Sequence, residues 1–249
     1  MYQFFVEDEQ IFGDTVRILG PDVNHIRNVL RMRRGERVRV SSAQGTNYLC
    51  SVADFEEEAV LLDVVEAGIG GTELSVDIYL FQGIPKGERM ETVIEKAVEL
   101  GVHEIIPVAM RRCVVRLDEK KAAKKEARWQ EIARSAAKQA KRSIVPRVHP
   151  VMEFGAAAEY AARCGVSLVP YENEEGMAAT RELFAALKGA GSISVFIGPE
   201  GGFAEEEIDA LRGRSRVFSL GKRILRTDTA SIAVLSMLML ALEMQDGEE

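Results

Sequence analysis

The sequence is poor in the residues that build metal centres and disulfide frameworks. Its 249 residues include three cysteines, three histidines and one tryptophan. The cysteines are far apart and form no C-x-x-C pair, so they predict neither a disulfide nor a zinc site and are typical of a reducing cytosol. His25, His103 and His149 are equally scattered. Because none of them has the spacing of metal ligands, we expect no metal.

Net positive charge is also missing. With 39 acidic and 32 basic residues, the formal net charge is -7, so any contact with nucleic acid must depend on local basic patches. Residues 1–10 are acidic, unlike the basic start of a secretory signal. The longest apolar stretch, residues 232–242, is shorter than the roughly 20 residues that cross a bilayer. We therefore expect a cytoplasmic protein that contacts no membrane.

Three glycines within residues 66–72 interrupt otherwise periodic segments and predict a domain boundary, with domains at 1–70 and 73–249. Before the boundary, short alternating runs predict strands that form a small β-barrel with one helix, at residues 22–30. After it, strands and helices alternate, which predicts an α/β domain with a mostly parallel sheet. The predicted strands are 74–82, 104–108, 166–170, 193–197 and 216–220. The predicted helices are 90–100, a long basic helix after the strand 104–108, and 180–188, 205–212 and 229–243.

Two glycine-bearing turns near the C-terminus are the most informative feature. Residues 196–203 read Phe-Ile-Gly-Pro-Glu-Gly-Gly-Phe, and residues 220–230 read Leu-Gly-Lys-Arg-Ile-Leu-Arg-Thr-Asp-Thr-Ala. Each turn lies between a predicted strand and a predicted helix, and glycine lets the backbone adopt positive φ and approach a ligand. Small ligands bind beyond the carboxyl ends of strands in open α/β sheets, so the turns predict one pocket, the active site.

Ordinary tight turns are the alternative, because Gly-Pro and Gly-Gly are common in them. Neither turn matches G-x-G-x-x-G or the P-loop, which disfavours an ATP site, a dinucleotide site and a dehydrogenase. The second turn, however, has Lys222, Arg223, Arg226, Thr227 and Asp228 close together. This is more polar chemistry than closing a loop requires, which favours the functional interpretation.

With these turns the chain resembles the ribosomal RNA small subunit methyltransferase E family, within the SPOUT class of S-adenosylmethionine-dependent RNA methyltransferases. The resemblance covers the whole chain: His-Ile-Arg-Asn-Val-Leu-Arg-Met at 25–32, Lys-Gly-Glu-Arg-Met-Glu at 86–91, Glu-Leu-Gly-Val at 99–102, and both turns. It implies an N-terminal PUA-like β-barrel that binds RNA and a C-terminal SPOUT domain with a trefoil knot. It also implies a homodimer in which both subunits contribute to each catalytic site.

The resemblance implies that both turns enclose S-adenosyl-L-methionine. We expect backbone groups and apolar side chains, rather than charged ones, to hold it. The expected cofactor-binding residues are Ile197, Gly198, Pro199, Gly201, Gly202, Leu220, Gly221, Ile224, Leu225 and Thr227. Thr227 or Asp228 is also expected to cap the last helix with its side-chain oxygen.

The implied reaction transfers a methyl group to N3 of a uridine in the 16S ribosomal RNA of the small subunit. Uridine N3 becomes nucleophilic once its proton has left and negative charge spreads to O2 and O4, and a nearby cation favours that anion. We assign this catalytic role to Arg226, with Arg223 as the alternative. Glu200 is the nearest carboxylate, and accepting a proton or shaping the turn are both open for it.

Two basic clusters are expected to contact RNA. Arg27, Arg31 and Arg34 have helical spacing, which predicts a stripe of arginines on one side of a helix. Arg112 precedes a second cluster, at 116–142, and Arg142 ends it; both match arginine positions of the family. A solvated surface paired with nearby acids is the alternative for each cluster.

Two other functions stay open from the sequence. One is a related SPOUT enzyme that methylates another atom, such as a ribose 2′-hydroxyl, and the other is a non-catalytic RNA-binding or assembly factor. A paired base cannot present N3, so the uridine must be unpaired, non-canonically paired or flipped out. Binding of S-adenosylmethionine would distinguish an enzyme from a binding factor, and mass spectrometry of nucleosides would separate the two reactions.

Overall fold

The computed structural model describes residues 1–172, 174, 176–185, 187 and 189–246. The chain folds into two compact units. Unit 1 contains Met1–Glu73 and Ala137–Val145, and unit 2 contains Leu74–Ala136 and Pro146–Glu249. The last residues of the predicted second domain, 247–249, lie outside the described residues. Unit 1 therefore combines the predicted first domain with a segment from the middle of the chain.

Unit 1 is built on a curled six-stranded sheet, a half-barrel. Its strands are β1 (Gln3–Val6), β2 (Ile11–Phe12), β3 (Thr15–Leu19), β4 (Arg37–Ser42), β5 (Asn47–Phe55) and β6 (Ala59–Ala67). They follow the order β1-β4-β5-β6-β3-β2, and only the pair β1–β4 is parallel. Alternate residues such as Val38, Val40 and Cys50 are buried in its core, as the period of two predicts. Burial raises the pKa of the Cys50 thiol to about 11.

The helical segment of unit 1 covers residues 21–29, close to the predicted 22–30, but the predicted arginine stripe is wrong. Helix α1 (Pro21–Asn24) continues into a π-helical turn (His25–Val29). Arg31 then has a φ of 52°, and the amide of Met32 donates to the carbonyl of Ile26 at 3.1 Å, a bond pattern that ends helices. Arg31 and Arg34 therefore follow the helix instead of extending its face.

The segment Ala137–Val145 is attached to unit 1 by buried polar contacts. The guanidinium of Arg142 forms an ion pair with Glu73, with Nε 3.0 and 2.9 Å from the two carboxylate oxygens. The side-chain amide of Asn47 donates to the hydroxyl of Ser143 at 2.7 Å, and that of Gln3 donates to the carbonyl of Arg142. These bonds give the buried polar groups partners that a solvent-exposed segment would not supply.

Unit 2 is an α/β layer structure whose described residues contain seven strands. The strands are β7 (Asp77–Gly83), β8 (Glu104–Ala109), β9 (Arg147–Val148), β10 (Met152–Glu153), β11 (Val166–Pro170), β12 (Ser192–Ile197) and β13 (Arg216–Phe218), and the helices are α2 (Arg89–Glu99), α3 (Glu119–Ala140), α4 (Phe154–Ala161), α5 (Ala178–Ala185), α6 (Glu205–Arg212) and α7 (Thr227–Asp246). The last turn of α3 belongs to unit 1. The predicted helix 180–188 corresponds to α5, and its residues 186 and 188 lie outside the described residues.

The sheet of unit 2 has the order β10-β8-β7-β12-β11-β13, with β9 also paired to β8. Every described pairing in it is parallel, which confirms the predicted parallel sheet. Strands β7 and β12 are central and apolar, and the rings of Phe81 and Phe196 stack in the core with centroids 4.6 Å apart. The carboxyl ends of β11, β12 and β13 therefore lie side by side, where the two turns begin.

Helix α7 is longer than the predicted helix 229–243. Its buried positions follow one face, from Ser231 through Val234, Leu235, Leu238 and Leu242, and it contacts α2 and β12. By length and composition alone, residues Thr227–Gln245 could cross a bilayer, which is also true of core helices in soluble proteins. An apolar surface on the other side of α7 stays exposed.

Candidate active site

A cleft of about 430 Å³ opens beyond the carboxyl ends of β11, β12 and β13. Both predicted turns line it, together with the residues that follow β11 and the start of α2. The lining residues are Arg89, Pro170, Tyr171, Glu172, Ile197, Gly198, Pro199, Glu200, Gly202, Phe203, Ser219, Leu220, Gly221, Lys222, Arg223, Ile224, Leu225, Arg226, Thr227 and Ala230. Among the residues predicted for catalysis or cofactor binding, Gly201 alone is not part of this lining.

The first turn, between β12 and α6, depends on glycine at its sharpest point. Gly202 has a φ of 68°, and its amide donates to the carbonyl of Pro199 at 2.9 Å. A Cβ added to Gly202 would lie 2.5 Å from Oε1 of Glu172. Gly201 is not part of the cleft lining, and its carbonyl accepts a hydrogen bond from Nη1 of Arg112 at 3.1 Å.

Glu200 is tied to the segment before α2. Its Oε1 accepts hydrogen bonds from the backbone amide of Lys86 at 2.9 Å and from Nη1 of Arg89 at 2.5 Å. Partial burial acts to raise the pKa of this carboxyl, but the hydrogen bonds from backbone amides and from Arg89 outweigh it, so the pKa lies below its ordinary value of 4.5. An ionised carboxylate held in this way is a weak proton acceptor and favours a role in shaping the turn.

The second turn, between β13 and α7, places several side chains in solvent at the cleft. Gly221 has a φ of 105°, and Ile224 is 89% exposed, an unusual environment for an isoleucine. Arg223 and Arg226 are exposed as well. Across the part of the chain that the structure describes, neither arginine side chain forms a hydrogen bond or an ion pair, so all of their donors are available to a ligand.

A buried hydrogen-bond network joins the two turns, and it includes a residue that sequence reasoning missed. The hydroxyl of Thr227 donates to the carbonyl of Gly198 at 2.7 Å and accepts from Nε2 of Gln82 at 2.9 Å. The hydroxyl of Ser231 donates to Oε1 of Gln82 at 2.5 Å. The sequence signal that could have identified Gln82 is a single amide directly after the apolar residues Leu80 and Phe81 in β7. A polar residue buried there needs hydrogen-bond partners.

The capping role expected for the last helix is wrong for Thr227. Its hydroxyl forms hydrogen bonds with the carbonyl of Gly198 and the side-chain amide of Gln82, and not with the first backbone amides of α7. Oδ1 of Asp228 is buried and has no hydrogen-bond partner in the described structure. The start of α7 is therefore fixed by contacts with other elements and not by a local side-chain cap.

The arginines predicted to bind RNA differ in their surroundings. In unit 1, Arg27 donates to the carbonyl of Glu56 and lies over the ring of Phe55, whereas Arg34 is paired with Asp54 and Arg142 is buried against Glu73. Arg31 is exposed, and the described residues offer its side chain no partner. In unit 2, Arg112 is exposed beside the first turn. Arg31, Arg34 and Arg112 are thus exposed, Arg31 is the one of them without a described side-chain partner, and the burial of Arg142 favours a structural role.

No group of three or more His, Cys, Asp or Glu side chains that could hold a metal ion occurs among the described residues. Desolvation raises the pKa of the Cys113 thiol, and Cys113 is buried in the core of unit 2. A buried thiol with a raised pKa is a poor nucleophile.

Comparisons with known proteins agree with this architecture. A family model described as an RNA methyltransferase domain matches residues 72–239, and one described as an RNA methyltransferase PUA domain matches residues 18–65. The ribosomal RNA small subunit methyltransferase E of Bacillus subtilis is 36% identical over 256 aligned residues, with 100% of both chains covered. That of Mycobacterium tuberculosis is 30% identical, with 93% of this chain and 88% of the relative covered.

Two solved structures share the fold of both units. A ribosomal RNA small subunit methyltransferase E from Neisseria gonorrhoeae, bound to S-adenosyl methionine, has a TM-score of 0.80 at 30% identity, with 96% of this chain and 97% of that chain covered. A putative methyltransferase from Legionella pneumophila, in complex with the same cofactor, has a TM-score of 0.82 at 30% identity and the same coverage. The first family model spans most of the sequence, and the Bacillus relative matches it from end to end, so the chain belongs to the ribosomal RNA small subunit methyltransferase E family.

Proposed function

We propose that this protein methylates N3 of a specific uridine in 16S ribosomal RNA, with S-adenosylmethionine as donor and the small ribosomal subunit as substrate. The observation that carries the proposal is the pair of unpaired guanidinium groups, Arg223 and Arg226, at a cleft built from two glycine turns in the described structure. Family membership supports the same reaction. Because ribosomal RNA is the substrate, we also propose that the protein works in the cytoplasm.

The cleft has the properties that S-adenosylmethionine requires. Its volume of about 430 Å³ lies within the range of roughly 300 to 1,000 Å³ that is typical of small-molecule sites. Ile197, Leu220 and Leu225 offer apolar surface for an adenine ring, and Gly198 and Gly221 allow backbone groups to approach it. When bound, the cofactor supplies an activated methyl group on its sulfonium, so the protein has mainly to orient the acceptor and exclude water.

Arg226 is proposed to act on the acceptor base. A guanidinium at O2 or O4 stabilises the negative charge that spreads over the uracil ring when N3 loses its proton to solvent water, before N3 takes the methyl group from the sulfonium. Arg226 lies directly before α7 and has no side-chain partner among the described residues, so no ion pair has to break before it meets the base. Arg223, three residues earlier on the same turn, is the alternative. Glu200 is proposed to hold the first turn through Arg89, because its pKa is lowered.

RNA contact is proposed for the accessible arginines of each unit. Guanidinium groups bind phosphate oxygens with two donors at once. In unit 1 this applies first to Arg31, and then to Arg27 and Arg34 with their partly occupied donors. In unit 2 it applies to Arg112 beside the first turn. For Arg142 we propose a structural role in unit 1 instead of RNA contact, because its side chain is buried against Glu73.

A homodimer and a trefoil knot stay predictions from the family resemblance. Support for the dimer comes from α7, where Leu240 is 55% and Met244 is 64% exposed. Together with the partly exposed Met237, they form an apolar surface that a second copy of the chain would cover. The exposed Ile224 on the second turn is consistent with a site that a ligand or a second subunit completes.

The test is to incubate the protein with S-adenosylmethionine and small ribosomal subunits that lack the modification, and to analyse the nucleosides by mass spectrometry. We expect 3-methyluridine at one methyl group per RNA. A 2′-O-methylated nucleoside would instead support a related enzyme, and binding of the cofactor by calorimetry without any methylated product would support a binding factor. Absence of both cofactor binding and product would contradict the proposal.

A further inference from the structure

Gln82 is a fully buried amide at the end of β7, and each of its polar atoms has a partner. Nε2 donates to the hydroxyl of Thr227 at 2.9 Å and to the carbonyl of Gly83 at 2.9 Å. Oε1 accepts from the hydroxyl of Ser231 at 2.5 Å. The two preceding residues of the strand, Leu80 and Phe81, are fully buried and apolar. A polar residue there costs desolvation that an apolar one would not.

The orientation of this amide determines the direction of the whole network. The carbonyl of Gly83 can only accept, so the group that faces it must be the NH₂ group of Gln82. The same NH₂ group then occupies an acceptor position of the Thr227 hydroxyl, whose one proton is left for the carbonyl of Gly198. Gln82 therefore commits the Thr227 hydroxyl to donate to the first turn.

Three elements meet through this network. Thr227 and Ser231 occupy successive turns of α7, Gln82 is the second-last residue of β7, and Gly198 directly follows β12 in the first turn. Arg226 immediately precedes Thr227, so a fixed Thr227 also fixes the backbone from which the Arg226 side chain projects. Within the described residues no side-chain bond holds Arg226 itself, which makes this backbone anchor the constraint on its position.

We propose that Gln82 is a positioning residue for methyl transfer, holding Arg226 and the Gly198 carbonyl in register through the hydroxyl of Thr227. The inference rests on the proposed function, since it assigns to Gln82 the placement of a group that acts on the acceptor base. Gln82 touches neither substrate nor cofactor in this scheme, and its effect appears in the turnover step.

Four variants of the full-length protein test this role. Gln82→Glu keeps the shape but places a carboxylate oxygen against Thr227, so the hydroxyl would turn toward it and release Gly198. Gln82→Met removes the bonds at similar volume. Thr227→Val removes the hydroxyl, and Thr227→Ser retains it. For each variant we would measure kcat and KM for both substrates, the dissociation constant of S-adenosylmethionine, and the melting temperature.

We expect kcat to fall at least tenfold in Gln82→Glu and Thr227→Val, by more than the dissociation constant of the cofactor rises, while Thr227→Ser, which keeps the hydroxyl, should lose clearly less turnover than Thr227→Val. The double variant Gln82→Met with Thr227→Val should lose little beyond the worse single one, because both remove the same network. If Gln82→Met does not fold, the Thr227 pair gives the same comparison.

A failure of this inference and a failure of the proposed function are distinguishable. An active wild type with unchanged kcat in Gln82→Glu and in Thr227→Val would overturn this inference and leave the proposed function intact. A loss of activity that follows only the fraction of folded protein would overturn it as well. A wild type that yields no 3-methyluridine contradicts the proposed function, and the positioning role of Gln82 falls with it.

Discussion

The charged side chains at the cleft differ in whether they already have partners. Glu200 is occupied by Arg89 and by the amide of Lys86, whereas the side chains of Arg223 and Arg226 have no partner in the described structure. A free guanidinium in a concave site can bind a ligand without first breaking an internal bond. At the scale of single residues, the structure thus separates groups that build the site from groups available for chemistry.

Replacement of Arg226 by alanine should lower turnover by about 10²- to 10³-fold, because one electrostatic donor at the developing charge is lost. Affinity for S-adenosylmethionine should change little, since the side chain is proposed to face the base. Single-turnover rates and calorimetry measure the two effects separately. Arg214→Ala, an exposed arginine between α6 and β13, is the matched control and should behave like the wild type. An Arg226→Ala enzyme with normal turnover would remove Arg226 from the mechanism.

Glu200→Gln should alter the dependence of stability on acid. The pKa of Glu200 is lowered in the folded protein, so its contribution is present above the unfolded value and is lost as pH falls through the folded value. Between about pH 5 and about pH 3, the wild type should therefore lose more free energy of unfolding than the variant does. Urea titrations at both pH values give the difference, and equal losses would show that the pair with Arg89 adds no pH dependence.

At the scale of elements, single backbone angles determine where a helix ends and which residue a turn can contain. Gly202 has positive φ inside the first turn, and Arg31 has positive φ directly after the π-helical turn. Glycine adopts this conformation at no steric cost, whereas a residue with a Cβ is strained in it. The first turn is consequently restricted to glycine at position 202, and the helix of unit 1 ends before its arginines can align.

Gly202→Ala should destabilise the protein by about 1 to 2 kcal/mol, mainly because a Cβ is disfavoured at that φ. The added carbon would also displace the carboxylate of Glu172, and cofactor affinity should fall with it. Gly155→Ala is the control, because Gly155 lies in α4 with no atom within 4 Å of the added Cβ. That change should be neutral or stabilising by about 0.5 kcal/mol. Denaturant unfolding would compare the two, and equal effects would contradict the turn argument.

Arg31→Ala should weaken binding to small ribosomal subunits and reduce the slope of log affinity against log salt by about one, as expected for one lost phosphate contact. Arg34→Ala should have a smaller effect, because Arg34 is already paired with Asp54. Fluorescence titrations at several salt concentrations measure both slopes. If both variants lost the same affinity and the same salt slope, the lack of a side-chain partner at Arg31 would not explain which arginine contacts phosphate.

At the scale of the whole molecule, the charge balance and the apolar surface of α7 are the informative properties. The net charge of -7 gives no general attraction to RNA, so we propose that binding depends on a few accessible arginines. Helix α7 buries one face and leaves Leu240 and Met244 exposed. An exposed apolar surface of this kind supports the proposed dimer.

Leu240→Glu should convert the proposed dimer into a monomer, because a charge would be buried at the interface without a partner. Val65→Glu is the control, since Val65 is 49% exposed on β6 of unit 1 and should leave the assembly unchanged. Sedimentation velocity at a fixed protein concentration distinguishes the two states. A wild type that sediments as a monomer would contradict the dimer directly.

The sequence predicted the regular elements of unit 2 closely, because hydrophobic periodicity and glycine punctuation are local properties. Helix α6 and strand β11 have the predicted bounds, and both turns follow the predicted strands. It did not predict α4, whose alanine-rich sequence has weak amphipathic contrast, or the short strands β9 and β10. Those strands have two residues each and exist only through their pairing with β8.

What the sequence determined by itself was the family, the alternation of strands and helices, and the two glycine turns that line the cleft. Tertiary structure alone decided which polar groups are free and which are occupied. Glu200 is paired with Arg89, and Arg142 is paired with Glu73. The side chains of Arg223 and Arg226 have no partner in the described structure, and the buried amide of Gln82 is bonded to Thr227. The physical reason is that hydrogen bonds join residues far apart in the chain, so local patterns cannot show which donor meets which acceptor.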